Sequence, residues 1–175
     1  MKTDMELLTD FNGGDRQAFN ELYERYKRSL FIFSIKMVQD ESIAQDMVQE
    51  TFIRVFVKSS QFEPYGSVSG WLFRITRNLC LNHIRANKNI SRLGDEEVSE
   101  KAFSYMPEEY TGDMNTIQKI IDQLPAEQKE ALVLRDIQGF SYLEISEITG
   151  ISLANVKIRI FRGRETLRKM LKEKI

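Results

Sequence analysis

Cysteine and histidine occur once each in the 175 residues, as Cys80 and His83. A lone cysteine forms no internal disulfide, which suits a reducing compartment. The two lie three residues apart on one helix face, but a structural zinc site takes about four ligands. Packing is therefore the expected role of Cys80. No run approaches the roughly 20 apolar residues of a membrane span, and Met1 to Asp10 lacks the basic start and continuous apolar core of a secretory signal. A soluble, cytoplasmic chain with no membrane span of its own is expected. Strand-like alternation, internal repeats and low-complexity runs are missing as well. So are a nucleophile paired with a base, a metal-ligand cluster and a phosphate-cradling glycine loop. Neither catalysis nor a cofactor is expected.

What is present is charge, abundant and segregated. The formal net charge is −1, yet Lys157, Arg159, Arg162, Arg164, Arg168, Lys169, Lys172 and Lys174 are opposed only by Glu165 and Glu173 in their stretch. Between Asn89 and Asp113 the balance inverts, with Asp95, Glu96, Glu97, Glu100, Glu108, Glu109 and Asp113 against Arg92 and Lys101. A near-neutral total hides a basic tail and an acidic middle.

Apolar residues recur at three-to-four spacing, the mark of amphipathic helices. Ala18, Leu22, Tyr26, Leu30, Phe33 and Met37 form one row after Asp15, a good N-cap. A second helix follows Asp40, with Ile43, Met47, Phe52 and Phe56 among its apolar positions. It stops before the loop Ser59 to Ser69, which contains Pro64 and Gly66. A third, from about Gly70 to Asn87, offers Leu72, Ile75 and Leu79. From Lys88 to about Thr111 the periodicity fades and too little apolar surface remains to offset ordering entropy, so a tether is expected. Patterning resumes after Asp113 with Ile117, Ile120, Ile121 and Leu124. Pro125 then opens a helix carrying Ala131, Leu132 and Leu134 that ends near Gly139. The fold class is all-α, with two small helical domains over 1–88 and 113–175 joined by a flexible acidic linker over 89–112.

The segment Ser141 to Lys169 reads as a helix-turn-helix. Ser141-Tyr142-Leu143-Glu144 matches a capping box, Gly150 suits a left-handed C-terminal residue, and Ser152 caps a new helix two residues on. Helices joined so tightly cross steeply, which lets the second enter a major groove. Val156, Ile160, Gly163 and Leu167 share its packing face, while the basic residues occupy the rest and suit phosphates. Ser152, Asn155, Lys157, Ile158, Arg159 and Arg162 are the candidate DNA-reading residues. Ile158 is the odd member, either touching a thymine methyl or serving a protein partner.

With these residues in place the chain resembles the bacterial sigma factors of the extracytoplasmic-function group. The resemblance rests on Asp46-Met47-Val48-Gln49-Glu50-Thr51-Phe52, on Trp71-Leu72-Phe73-Arg74-Ile75-Thr76-Arg77-Asn78, on Leu124-Pro125, and on the helix-turn-helix ending in Arg162-Gly163-Arg164. It implies an initiation factor that binds core RNA polymerase and promoter DNA, reads minus-35 and minus-10 boxes, helps melt the start site and answers to an anti-sigma factor. Asp46, Gln49, Glu50 and Arg54 are then the expected polymerase contacts, although the same polar face is open to a plain solvated reading. Phe62 and Tyr65 in the loop, with Arg74, Arg77, Asn78, Asn82, Arg85 and Lys88 along the next helix, are the expected minus-10 and melting residues; Phe62 and Tyr65 fit ordinary loop packing equally. Trp71 is expected to be a structural anchor, and the acidic tether matches in position the linker that such factors thread through the polymerase. Gln45, Ser146, Asn155 and Ile158 depart from the usual pattern, so the minus-35 sequence of relatives does not transfer. The alternative from a different class is a conventional dimeric helix-turn-helix regulator.

Overall fold

Short polar residues that accept backbone hydrogen bonds set where the helices begin. In the computed structural model, which describes residues 1–62, 66–91 and 119–173, Thr3 and Glu6 form a capping box that opens α1, Asp4–Asn12. Asp15 caps α2, Arg16–Val38, by accepting from the Gln17 and Ala18 amides. Asp40 does the same for α3, Glu41–Lys58, through the Ile43 amide. Each such cap stabilises its helix by about 1 kcal/mol. A short 3-10 turn, Ser59–Gln61, follows, and α4 spans Val68–Ser91. That helix runs beyond Asn87, the end expected from the fading pattern.

The chain divides into two compact units, Met1–Glu97 and Val98–Ile175. In the first, α2 buries Ala18, Leu22, Leu30, Phe33 and Met37, the row its spacing predicts, with Tyr26 half-buried. From α3 come Ala44, Val48, Thr51, Phe52 and Val55, and from α4 Leu72, Phe73, Thr76, Leu79 and Cys80. Each fully buried Leu or Phe contributes about 1.5–3 kcal/mol. The Thr51 and Thr76 hydroxyls meet at 2.9 Å across α3 and α4, each also within hydrogen-bond distance of a carbonyl of its own helix, Met47 or Leu72. One hydroxyl therefore donates across to its partner, while the other donates back to its own helix. Phe56, expected on the packed face of α3, is instead largely exposed. Its ring lies against Phe11 and Phe19 at 5.2 and 5.4 Å between centroids, on the rim of the core.

In the second unit residues 119–122 are helical. Pro125 precedes α5, Ala126–Leu132, which passes into a π-helical segment, Val133–Ile137. Gly139, at φ 79°, turns the chain out of that segment. Next come α6, Tyr142–Thr149, and α7, Leu153–Glu173. Ile120, Leu124, Leu132, Val133, Leu134, Ile145, Ile148, Val156 and Ile160 form the core. Lys129 is buried by aiming its ammonium at the Asp122 carbonyl, 2.9 Å away. All helical segments described here are α, 3-10 or π, and no strand occurs among the described residues. The expected linker lies outside those residues for most of its length, as do Asp113 and Tyr65.

Candidate nucleic-acid interface

The turn between α6 and α7 is built from its polar residues. The Glu144 amide donates to the Ser141 hydroxyl at 3.2 Å and the Ser141 amide donates to the Glu144 carboxylate at 2.8 Å. Gly150 ends α6 at φ 73°, a left-handed conformation that L side chains resist. Ser146, one of the departures noted above, donates from its hydroxyl to the Ile151 carbonyl at 2.5 Å and pins the turn. The Asn155 amide donates to the Ser152 hydroxyl at 3.2 Å, so the residue that caps α7 follows the Gly150 cap of α6 by two positions. This is helix-turn-helix geometry.

Val156, Ile160 and Gly163 are buried against the unit, and Asn155, Lys157, Ile158 and Arg162 are exposed on α7 beside the N-terminal Ser152. Arg159 does not join them. Its guanidinium turns back to α5, 3.2 Å from the Glu127 carboxylate and 3.9 Å from that of buried Glu130. Its side chain here differs from the groove-facing position expected of it: on the helix Arg159 lies only 60° from Val156, close enough to the packed face to reach these acids. Arg164 is likewise engaged, with Asp136 at 2.6 Å.

In the first unit, α4 carries Arg74, Asn78, Asn82 and Arg85 exposed, with Arg77 half-buried. The Gly70 amide donates to the Ser67 hydroxyl at 3.0 Å, which fixes the start of that helix. Phe62 packs on Trp71, ring centroids 4.9 Å apart, so the anchoring role expected of Trp71 extends to the loop before it. Cys80 is buried, as its packing role requires, and the His83 ring lies 2.9 Å from the Asn87 amide nitrogen.

Asp46, Gln49 and Arg54 are exposed on α3 with Glu50 half-buried, and Arg54 pairs with Glu50 at 2.8 Å. Sequence reasoning missed what accompanies them. Ile53 is 57% and Val57 68% exposed, one and two turns after Gln49, so this face is a polar field continued by an apolar one. The i, i+4 row Gln49, Ile53, Val57 carried that signal.

Near α1 the Tyr26 hydroxyl donates to the Asp4 carboxylate, which Arg25 also grips at 2.5 Å. Burial first, and then this bond to a carboxylate, push the Tyr26 phenol far above its ordinary value.

An all-helical chain with a tight helix-turn-helix and a basic second helix has the construction of a DNA-binding transcription factor. Comparison with known proteins narrows that class. The family described as Sigma-70 region 2 matches residues 22–90, and Sigma-70 region 4 matches residues 114–167. The chain is 34% identical to the ECF RNA polymerase sigma factor SigW of Bacillus subtilis over 91% of its own length and 92% of that protein. It is 30% identical to the RNA polymerase sigma-H factor of Pseudomonas aeruginosa, over 96% of this chain and 93% of that one. Among solved structures, the sigma factor RpoE in complex with the anti-sigma factor NepR from Bartonella quintana superposes with a TM-score of 0.78 at 27% identity, covering 88% of this chain and 96% of that one. The chain belongs to the ECF RNA polymerase sigma factors, a family of non-enzymatic transcription factors. It is a promoter-specific transcription initiation factor. Among the described residues no helix is long and apolar enough to cross a membrane.

Proposed function

We propose a division of labour between the two units. The observation that carries it is the exposed basic face of α7, set on a turn too short for any but a steep crossing from α6. Ser152, Asn155, Lys157, Ile158 and Arg162 read the minus-35 box, the cations holding phosphates while the helix start meets base edges. On α4, Arg74, Arg77, Asn78, Asn82 and Arg85 engage the minus-10 box and its melted strand. Phe62, braced by Trp71, offers its ring to an unstacked base, an interaction that is worth about 1–3 kcal/mol where it forms, and Tyr65 is assigned to the same task from its place in the sequence. The mixed face of α3, with Asp46, Gln49, Glu50, Arg54, Ile53 and Val57, docks on core polymerase. The chain works in the cytoplasm through 1–88 and 113–175 as domains, with 89–112 as an acidic linker between them, and bond-making belongs to the polymerase. An anti-sigma factor holds it off the polymerase until a signal arrives, as NepR pairs with RpoE in the related structure.

Run-off transcription with purified core polymerase and a randomised promoter library, with and without the chain, tests this reading. Promoter-dependent transcripts that need the chain are the expected result. Failure of the chain to associate with core, or tight binding of a palindromic operator by the chain alone as a dimer, overturns it in favour of a conventional regulator.

A further inference from the structure

Two large apolar side chains stand uncovered within the C-terminal unit on the outward side of α7. Ile158 is 45% exposed and Phe161 is 65% exposed. A separation of three residues puts them side by side, about 4.5 Å apart along the helix axis. Exposed Ala154, one turn before Ile158, extends the row toward the helix start. Ile158 lies opposite Val156 and Ile160, both buried. No rotation of α7 in its socket covers Ile158 without exposing those two.

An apolar row framed by charge marks a contact with another molecule, and the frame identifies which. Lys157, Arg162, Arg168 and Lys169 are exposed around the row, a setting that attracts a polyanion. Toward the C-terminus the row runs into Glu165, whose carboxylate pairs with Arg168. A carboxylate is a poor neighbour for phosphate, so the usable stretch is the first part of the helix, up to Arg162. In a major groove the one apolar group on the base edges is the 5-methyl of thymine. Side chains about 4.5 Å apart along a helix reach successive bases, which rise about 3.4 Å per step along a strand.

We infer that Ile158 and Phe161 form an apolar reading ridge that selects thymine at two adjacent positions of the upstream promoter box, on one strand or divided between the two. The inference rests on α7 being the minus-35 reader and adds Phe161 to the residues that set specificity. A protein partner presenting an acidic, apolar helix is the competing occupant of the ridge. Such a partner gives promoter binding no sensitivity to a thymine methyl.

The full chain with core polymerase supplies the test. Promoters are selected from the randomised library, and each thymine in the upstream box of a selected promoter is replaced singly by deoxyuridine, which removes the methyl and keeps the base pair. The expected result is adjacent thymines in the selected box, with loss of either methyl weakening holoenzyme binding about fourfold. Ile158→Ser abolishes that sensitivity at one position and Phe161→Ser at the other, while circular dichroism of the full chain is unchanged by these exposed substitutions. A selected box without adjacent thymines, deoxyuridine promoters bound as tightly as thymine promoters, or serine variants that keep the full methyl sensitivity each overturn the ridge. If such results come with promoter-directed transcripts, the initiation reading stands and the ridge alone fails. If core polymerase and the chain give no promoter-directed transcript, that reading fails and the ridge with it.

Discussion

Tyr26 is the residue at which burial and charge oppose ionisation together. Its phenol is half-buried and donates to the Asp4 carboxylate, so a phenolate there loses its donor and faces a negative charge at contact distance. The folded value is raised above the unfolded one, near 10. The stability this linkage contributes is therefore complete below pH 10 and is lost as pH rises through the folded value. In an alkaline titration followed by phenolate absorbance, Tyr26 is expected to ionise only as the unit unfolds, and Tyr26→Phe removes that late step. Tyrosine absorbance that saturates near pH 10 with the fold intact contradicts the assignment. Arg159 gives a second residue-scale test. Its loss removes the guanidinium that lies 3.2 Å from Glu127 and 3.9 Å from buried Glu130, so Arg159→Ala is expected to lower unfolding stability by about 1 kcal/mol, with Arg159→Met and Glu130→Gln together recovering most of it. A variant that melts like the parent but loses DNA affinity would return Arg159 to the groove. The sequence placed Arg159 among like charges on α7. Its acidic partners sit on α5, some thirty positions earlier, where no local pattern links them to it.

Among the elements, α5 and α7 approach closely. A Cβ built on Gly163 lies 3.0 Å from both the Cγ and Cδ1 of Leu132 and 3.4 Å from the Gln128 carbonyl. Alanine at Gly163 gains about 1 kcal/mol of helix propensity and spends much of it pressing on Leu132, so Gly163→Ala is expected to stay within about 1 kcal/mol of the parent. A β-branched side chain has nowhere to go, and Gly163→Val is expected to cost about 2–3 kcal/mol. Chemical denaturation of both variants checks this, and a valine variant as stable as the parent means that the helices can separate freely. Gly163 was legible as a packing-face residue from its spacing with Val156 and Ile160, but how close the other helix comes depends on tertiary packing. The starts of α2, α3, α6 and α7 were legible because Asp15, Asp40, Ser141 and Ser152 each act within one turn. Thr3 and Glu6 held the same signal for α1, and reading Met1 to Asp10 only for export missed it. The π segment from Val133 to Ile137 had no local sign. The overrun of α4 to Ser91 reflects the lack of any breaker before Gly94.

For the molecule as a whole, the decisive quantity is the net charge of −1. Basic residues on α7 are offset elsewhere, so the chain's long-range attraction to DNA is weak, and promoter occupancy depends on its grip on polymerase. Polar contacts alone give a modest grip, because exposed pairs such as Arg54 with Glu50 contribute about 0–1 kcal/mol. On the docking face proposed for α3 the apolar side chains beside them would supply what is missing: truncating a central interface side chain costs about 1–3 kcal/mol, or roughly five- to 150-fold in affinity. Ile53→Asp combined with Val57→Asp is therefore expected to weaken core binding more than Gln49→Ala combined with Arg54→Ala. Both side chains are largely exposed, so the folded chain tolerates the aspartates. Competition binding to purified core polymerase measures the effect, with circular dichroism of the full chain as the control for folding. The box preference of whatever holoenzyme still assembles should be unchanged, since these residues are about a hundred positions away in sequence from α7, the helix proposed to read the upstream box. If the aspartate pair leaves core affinity intact in a folded chain, α3 is not the docking face. The exposed apolar residues of α3 then need another partner, and the dependence of this near-neutral chain on polymerase must be carried by different residues.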